Sequence, residues 1–316
     1  MNCPIQLPTR KESIIYLLSA GLYLSFCFFV MGGAKLEHAL ILILFSLLFF
    51  VHGYTRKLAM CLLPFLIFAI SYDVMRLYPN YLVNPVDING LHEADKSLFG
   101  ITIAGESMTL NEYFAQHTCA LADFMAGIFY LCWVPGPIAF GVYCFITGRR
   151  GLLVRFAWAF LFLNLIGFAG YYIHPAAPPW FYAQCGGTYD PALYGHTMGN
   201  EAGLARFDAL TGLNIFHSIY AKNANVFAAV PSLHAAYCPC AFLYACFGKC
   251  NRMVRWPLAI LSIGICWTAI YSSHHYVIDV LLGFSLSVIF VLAWEKVLLQ
   301  WPPIRRFITH YERYVS

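Results

Sequence analysis

The chain has 316 residues, 60% of them hydrophobic and only 11% charged, with a net charge of +4. That charge density is under half of what a soluble domain carries, which excludes a water-soluble globular fold. Its cations sit in short segments between apolar runs rather than on one patch, which excludes a nucleic-acid partner.

Apolar runs of about 18 residues, long enough to cross roughly 30 Å of hydrocarbon, recur along the chain. They predict one all-α polytopic membrane domain over residues 1–316 with about eight transmembrane helices. The first, Ile14–Met31, has no small-residue cleavage site followed by a polar mature region, so it reads as a retained span. Leu36–Val51 and Leu58–Arg76 complete an N-terminal group of three over 14–76. Leu121–Thr147 contains Pro135 and Pro137 and is expected to kink, two half-spans being the alternative. Leu152–Ile173, Ala229–Phe247, Trp256–Tyr271 and His275–Trp294 follow, giving a core over 121–297.

Lys and Arg set the orientation. With both termini cytoplasmic, fourteen of the 19 cations fall on the cytoplasmic side and five, Lys35, Arg76, Lys96, Arg206 and Lys222, on the other. Splitting the fourth span would spoil that bias. Residues 77–120 and 174–228 are then long extracytoplasmic segments. Aromatic residues of the second (Trp180, Phe181, Tyr182, Tyr189, Tyr194) suggest a folded cap at the lipid–water interface. The 12 cysteines include no CxxC and lie mostly in apolar runs, as small buried hydrophobes do; Cys119 and Cys185 are the two that could pair on the oxidising side.

Two stretches carry chemistry. Residues 227–237 read FAAVPSLHAAY and residues 272–280 read SSHHYVIDV. The topology puts His234, early in the sixth span, at the depth of His275, which opens the eighth. Asp279, four residues after His275, shares its helix face. A carboxylate there can accept a ring N–H, fix the tautomer and leave the other nitrogen nucleophilic. His234 can serve as general acid and then base. Ser232 and the N–H groups opening the sixth span offer a helix N-terminus to a phosphate. A zinc site built from His234, His274, His275 and Asp279 is the competing functional reading, although no further Cys or carboxylate completes it. His274 is expected to face about 100° away from its neighbour and only to open the helix. His38, His52 and His310 read as interfacial anchors, and His174 and His217 as more distant candidates for the site.

PSLH and HHYVID resemble the second and third signature motifs of the type 2 phosphatidic acid phosphatase superfamily. With APPW at Ala177–Trp180, AAVPSLHA and HHYVIDV are similar to its inositol phosphorylceramide synthase branch. The resemblance covers about the C-terminal half. It implies a six-helix phosphatase-like core plus extra helices and a phosphohistidine mechanism. His275 would then be the nucleophile, Asp279 its orienting group and His234 the proton donor and acceptor. The chain departs from the phosphatases in two places. It has no Arg-Pro dipeptide of the first motif, and Ala269 stands where they carry an arginine six residues before the third-motif histidine. Without that clamp a singly charged phosphodiester suits the site better than a phosphomonoester.

Arg76 or Arg206 is expected to contact the phosphate, Asp73 or Asp123 the headgroup hydroxyls, and Trp180 the substrate; for Asp73–Arg76 a self-satisfied i,i+3 pair is the alternative. The implied function is transfer of phosphoinositol from phosphatidylinositol to a ceramide or dihydroceramide, releasing diacylglycerol, with no metal or other cofactor in the scheme. The alternatives are a lipid phosphatase of the same superfamily and a non-catalytic lipid carrier. The site would face the periplasm of a bacterial inner membrane, or the Golgi lumen in a eukaryote. Headgroup identity and oligomeric state are not readable from the sequence.

Overall fold

The computed structural model describes residues 7–33, 36–221 and 225–316, with the side chain of Glu37 left aside. Lys35 and Lys222, two of the five cations expected on the extracytoplasmic side, lie outside the described residues. The chain is an integral membrane protein built almost entirely of helices. Among the described residues five helices are long and apolar enough to cross a membrane, or six if one bent pair counts as a single span.

The N-terminal helices are α1 (Arg10–Phe29), α2 (Leu36–Val51) and α3 (Gly53–Val74). A Thr9–Glu12 capping box starts α1, and the His52 ring accepts from the Tyr54 N–H at the start of α3. The outer segment then gives α4 (Asn89–Phe99), a hairpin of β1 (Ile101–Ile103) and β2 (Glu106–Met108), and α5 (Leu110–Gln116). Next come α6 (Ala120–Leu131) and α7 (Pro135–Ile146), which bend by 47° at their junction. Pro135 at the start of α7 lacks the N–H that would continue α6. The expected kink is therefore a break between two helices.

Helix α8 (Arg150–Ile173) is the central post. Two thirds of its apolar window, 67%, is buried, against 6% for α1. It carries Phe156, Phe160 and Leu163 into a core shared with Tyr237, Tyr244 and Trp294. The second outer segment holds α9 (Pro179–Cys185), α10 (Ala205–Thr211) and α11 (Ile215–Tyr220). The C-terminal part is α12 (His234–Phe247), α13 (Arg252–Tyr271), α14 (Val277–Lys296) and α15 (Pro302–Val315). Helix α12 packs on α13 and α14, α13 on α6, and α3 on α8.

Three expectations are corrected. The sixth span was expected from Ala229, but α12 starts at His234 and has 14 residues, roughly 21 Å. Ala229 N–H bonds the Ala176 carbonyl and Ser232 N–H bonds the Asp279 carbonyl, partners outside any helix that hold this stretch irregular. The eighth span starts at Val277, which leaves His275 in the preceding turn. An additional helix, α15, packs its buried Ile308 and Val315 face on α3 and α8. Among the described residues every cysteine is free, Cys119 and Cys185 included.

The two outer segments fold together over one end of the bundle. The Asp87 N–H bonds the Pro175 carbonyl, and Ala176 bridges to Asp87 and Ala228. Asn80 donates to the carbonyls of Tyr171 and Phe227.

Candidate active site

Beneath those segments is a cavity of about 90 Å³, lined among others by His234, His274, His275, Tyr130, Trp133, Tyr220 and Trp180. Two different chain segments bring its histidines together. The irregular stretch 229–233 delivers His234 as the first residue of α12, and the turn between α13 and α14 delivers His275. Gly283 of α14 lies against the Ser232 backbone: a Cβ there would sit 1.9 Å from the Ser232 carbonyl oxygen. Only a glycine lets α14 and the PSLH loop approach this closely.

The rings meet directly. His234 Nδ1 lies 3.0 Å from His275 Nε2. His275 Nδ1 lies 3.0 Å from the Ala229 carbonyl oxygen and 3.4 Å from Asp279 Oδ2. A carbonyl only accepts, so Nδ1 of His275 carries the hydrogen and its Nε2 is left with a lone pair. It follows that His234 Nδ1–H is the donor across the ring pair. Asp279 is fully buried; its Oδ2 also accepts the Tyr276 N–H at 2.9 Å. That bond fixes the carboxylate at the start of α14 while it faces His275.

His274 does not turn away from the site. The 100° separation holds within a helix, but residues 272–276 form a turn, and both histidines line the cavity. Ser272 Oγ donates to the Thr268 carbonyl at 2.7 Å, so it can only accept from His274 Nδ1, 2.9 Å away. The His274 ring sits 5.2 Å from the Tyr130 ring and 4.6 Å from that of Tyr220, centroid to centroid. Tyr220 donates to the Tyr130 hydroxyl at 2.8 Å. The His234 ring meets Trp133 edge-on at 4.5 Å. The turn between two spans was the signal that could have marked His274; nothing in the sequence marked Tyr130 or Tyr220.

The other predicted residues are placed differently. Trp180 lines the cavity, its N–H bonded to the Ser273 carbonyl at 3.0 Å. Ser232 does not: it is fully buried, and its Oγ accepts the Ala235 N–H while its own N–H ties the loop to Asp279. Arg206 and Asp123 bond each other at 2.5 Å, Tyr271 adds a 2.8 Å bond to the same carboxylate oxygen, and neither lines the cavity. This pair ties the cap to α6. Asp73 faces Arg76 at 3.2 Å and His38 at 3.5 Å. His174 pairs with Asp87 at 3.3 Å and His217 with Glu201 at 3.2 Å. Among the described residues no Lys or Arg lines the cavity, and no group of three His, Cys, Asp or Glu is arranged to hold a metal ion.

Behind the turn 272–276, the segment 77–120 supplies buried polar groups. Asp95 Oδ1 accepts the Ile278 N–H at 2.9 Å, and burial, with Asp279 nearby, pushes its carboxyl up to about 6. Burial also lowers the imidazole of His92, which stacks on Tyr182 with centroids 3.7 Å apart.

A family model described as the PAP2 superfamily matches residues 91–293. Over 310 residues the chain is 50% identical to a phosphoinositol dihydroceramide synthase of Bacteroides thetaiotaomicron, a match covering 98% of this chain and 100% of that protein. It is 29% identical over 248 residues to the catalytic subunit of inositol phosphorylceramide synthase of Schizosaccharomyces pombe, covering 76% of this chain and 54% of the other. Against the corresponding subunit of Saccharomyces cerevisiae it is 26% identical over 230 residues, covering 71% and 53%. The chain thus spans about half the length of each yeast protein. No solved structure matches.

Proposed function

This chain belongs to the PAP2 superfamily, and from that premise we propose that it transfers phosphoinositol from phosphatidylinositol to the primary hydroxyl of a ceramide or dihydroceramide, releasing diacylglycerol. The observation that carries the proposal is the linked set His234–His275–Asp279, with both histidines in the wall of a cavity that no Lys or Arg among the described residues lines. A nucleophile with a fixed tautomer and a proton carrier beside it suit stepwise displacement at phosphorus. A lining without Lys or Arg among the described residues suits a singly charged diester. The 50% identity to a synthase over the full chain supports the same donor and acceptor.

The steps balance as follows. The donor phosphate enters between the two rings and parts them, because 3.0 Å leaves no room for a tetrahedral phosphorus. His275 Nε2 attacks phosphorus, and the bond from phosphorus to the glycerol oxygen breaks. His234, as imidazolium, gives a proton to that oxygen, and diacylglycerol leaves. The phosphorylated His275 ring is cationic; its Nδ1–H points at the Ala229 carbonyl and Asp279, which stabilise that charge. The acceptor hydroxyl then gives its proton to His234, its oxygen attacks phosphorus, and the phosphorus–nitrogen bond breaks. The aromatic lining and cap keep water from competing.

Tyr72 lines the cavity, and Arg76 lies one helical turn further along the chain. We assign Arg76 to the donor headgroup phosphate as it approaches, with Asp73 beside it for a hydroxyl. The cation distribution supports a site on the extracytoplasmic face, periplasmic in a bacterium.

The test is to supply purified protein in lipid nanodiscs with phosphatidylinositol plus ceramide, or with phosphatidic acid. The expected products are inositol phosphorylceramide and diacylglycerol from the first mixture. Phosphate release from phosphatidic acid without transfer would make it a phosphatase. Lipid binding unchanged in His275→Ala, with no turnover in wild type, would make it a carrier.

A further inference from the structure

We infer that Asn111 is a positioning residue for His275, with Asp95 as its companion, so that the outer segment 77–120 is part of the catalytic scaffold. The inference rests on the reading of His275 as the nucleophile.

His275 lies in a turn, where no helix ladder fixes its backbone. Ser273, two residues before it, has φ +59°, a left-handed conformation that side chains seldom adopt. What holds such a turn is the set of partners of its polar groups, and these can be counted. The N–H groups of His274 and His275 both bond the Ala269 carbonyl, at 3.0 and 2.9 Å. The Tyr276 N–H bonds Asp279 and the Val280 N–H bonds the Tyr276 carbonyl. The Ser272 and Ser273 carbonyls accept the Gly203 and Trp180 N–H groups at 2.9 and 3.0 Å, and two further groups, on either side of the His275 ring, are satisfied from the segment 77–120. Asn111 Nδ2 donates to the His275 carbonyl at 2.9 Å, and the Ile278 N–H donates to Asp95 at 2.9 Å.

Asn111 makes a second bond, to the Ile270 carbonyl at 2.8 Å. Its one NH2 group therefore joins the last turn of α13 to the catalytic residue itself. The two hydrogens of an amide lie in one plane at a fixed angle, so the pair of bonds sets the orientation of the His275 carbonyl as well as its distance. That carbonyl is bonded to the Cα from which the ring projects. Rotating it swings Nδ1 off Ala229 and aims Nε2 elsewhere.

Both residues are held where an idle polar group would be disfavoured. Asn111 is 3% exposed and Asp95 0%. The second oxygen of each, Asn111 Oδ1 and Asp95 Oδ2, is buried without a hydrogen bond among the described residues. Such a group is a cost to folding that the bonds to the turn must offset. A Thr109–Glu112 capping box fixes the start of α5 and with it the placement of Asn111. Simple tethering of the segment is supplied elsewhere, by Asn84, which donates to the Tyr172 carbonyl at 2.6 Å.

The test compares Asn111→Ala, Asn111→Asp and Asn84→Ala with wild type and His275→Ala, reading kcat, donor KM and melting temperature. Asn111→Ala should lower kcat on the order of 100-fold, the loss typical of an ångström-scale misplacement, with donor KM within about threefold. Asn111→Asp keeps the shape but cannot donate, and should lose as much; it decides the matter if Asn111→Ala does not fold. Asn84→Ala should leave kcat near wild type. Wild-type kcat in either Asn111 variant, or an equal loss of kcat in Asn84→Ala, overturns the inference. An active His275→Ala would instead overturn the reading beneath it, so the two failures are distinguishable.

Discussion

Replacing Gly283 by alanine should separate the two histidines without touching either. The added Cβ would stand 1.9 Å from the Ser232 carbonyl oxygen and 2.7 Å from its carbon, where ordinary contact begins near 3.4 Å. Both obstacles are backbone, so α14 and the PSLH loop must move apart by about 1.5 Å. Asp279 lies one turn before Gly283 on α14, His275 just ahead of that helix, and His234 two residues after Ser232. The whole displacement therefore falls between the rings, and a 3.0 Å contact becomes one of roughly 4.5 Å, beyond hydrogen bonding. A misplacement of this size costs on the order of 100-fold in turnover, about 2.7 kcal/mol. Overpacking should also remove about 1–3 kcal/mol of stability. The assay is transfer of labelled phosphoinositol to ceramide at saturating lipid, with a melting curve on the same sample. Gly151→Ala is the control, since its Cβ would meet only the Glu312 side chain, at 3.5 Å. Wild-type turnover in a folded Gly283→Ala would refute the claim that this backbone contact sets the catalytic geometry.

Asp279→Asn keeps the shape of the α14 cap but removes the charge facing His275 Nδ1; kcat should fall roughly 100-fold or more with donor KM little changed, which steady-state kinetics will show. Arg206→Ala should lower the melting temperature by loosening the cap, because its partner is Asp123, and leave donor KM within about twofold. Arg76→Ala should raise donor KM several-fold; identical kinetics would remove Arg76 from the headgroup site. Asp95 has a carboxyl raised to about 6, so its ionised form is disfavoured in the folded state. Its stabilising contribution is complete below the ordinary carboxylate range and fades as pH rises from about 4 through 6. Melting curves of wild type should therefore fall relative to Asp95→Asn over that window, and parallel curves would contradict the assignment.

The all-helical membrane class was legible because apolar length acts on whole segments and survives errors of a few residues at each end. The start of α12 was not, because Ala229 and Ser232 are held by Ala176 and Asp279, residues far off in the chain. Helix α15 escaped notice because it is amphipathic and too short to span. His274 was misread because a helical angle was applied to a turn. Arg206 and Asp123 were each singled out as a substrate contact, yet they lie 83 positions apart in the chain and neutralise one another, a pairing with no local signature. The same holds for Asn111, one polar residue in a polar segment until the fold sets it against His275.

The central claim is a covalent bond between phosphorus and His275. Wild-type protein mixed with phosphatidylinositol in the absence of ceramide, quenched in base and digested, should yield the peptide containing residues 274–280 with the mass of one phosphoinositol group on His275. Adding ceramide before the quench should discharge it. Transfer that proceeds with no such adduct, or with the group on another residue, would contradict the mechanism.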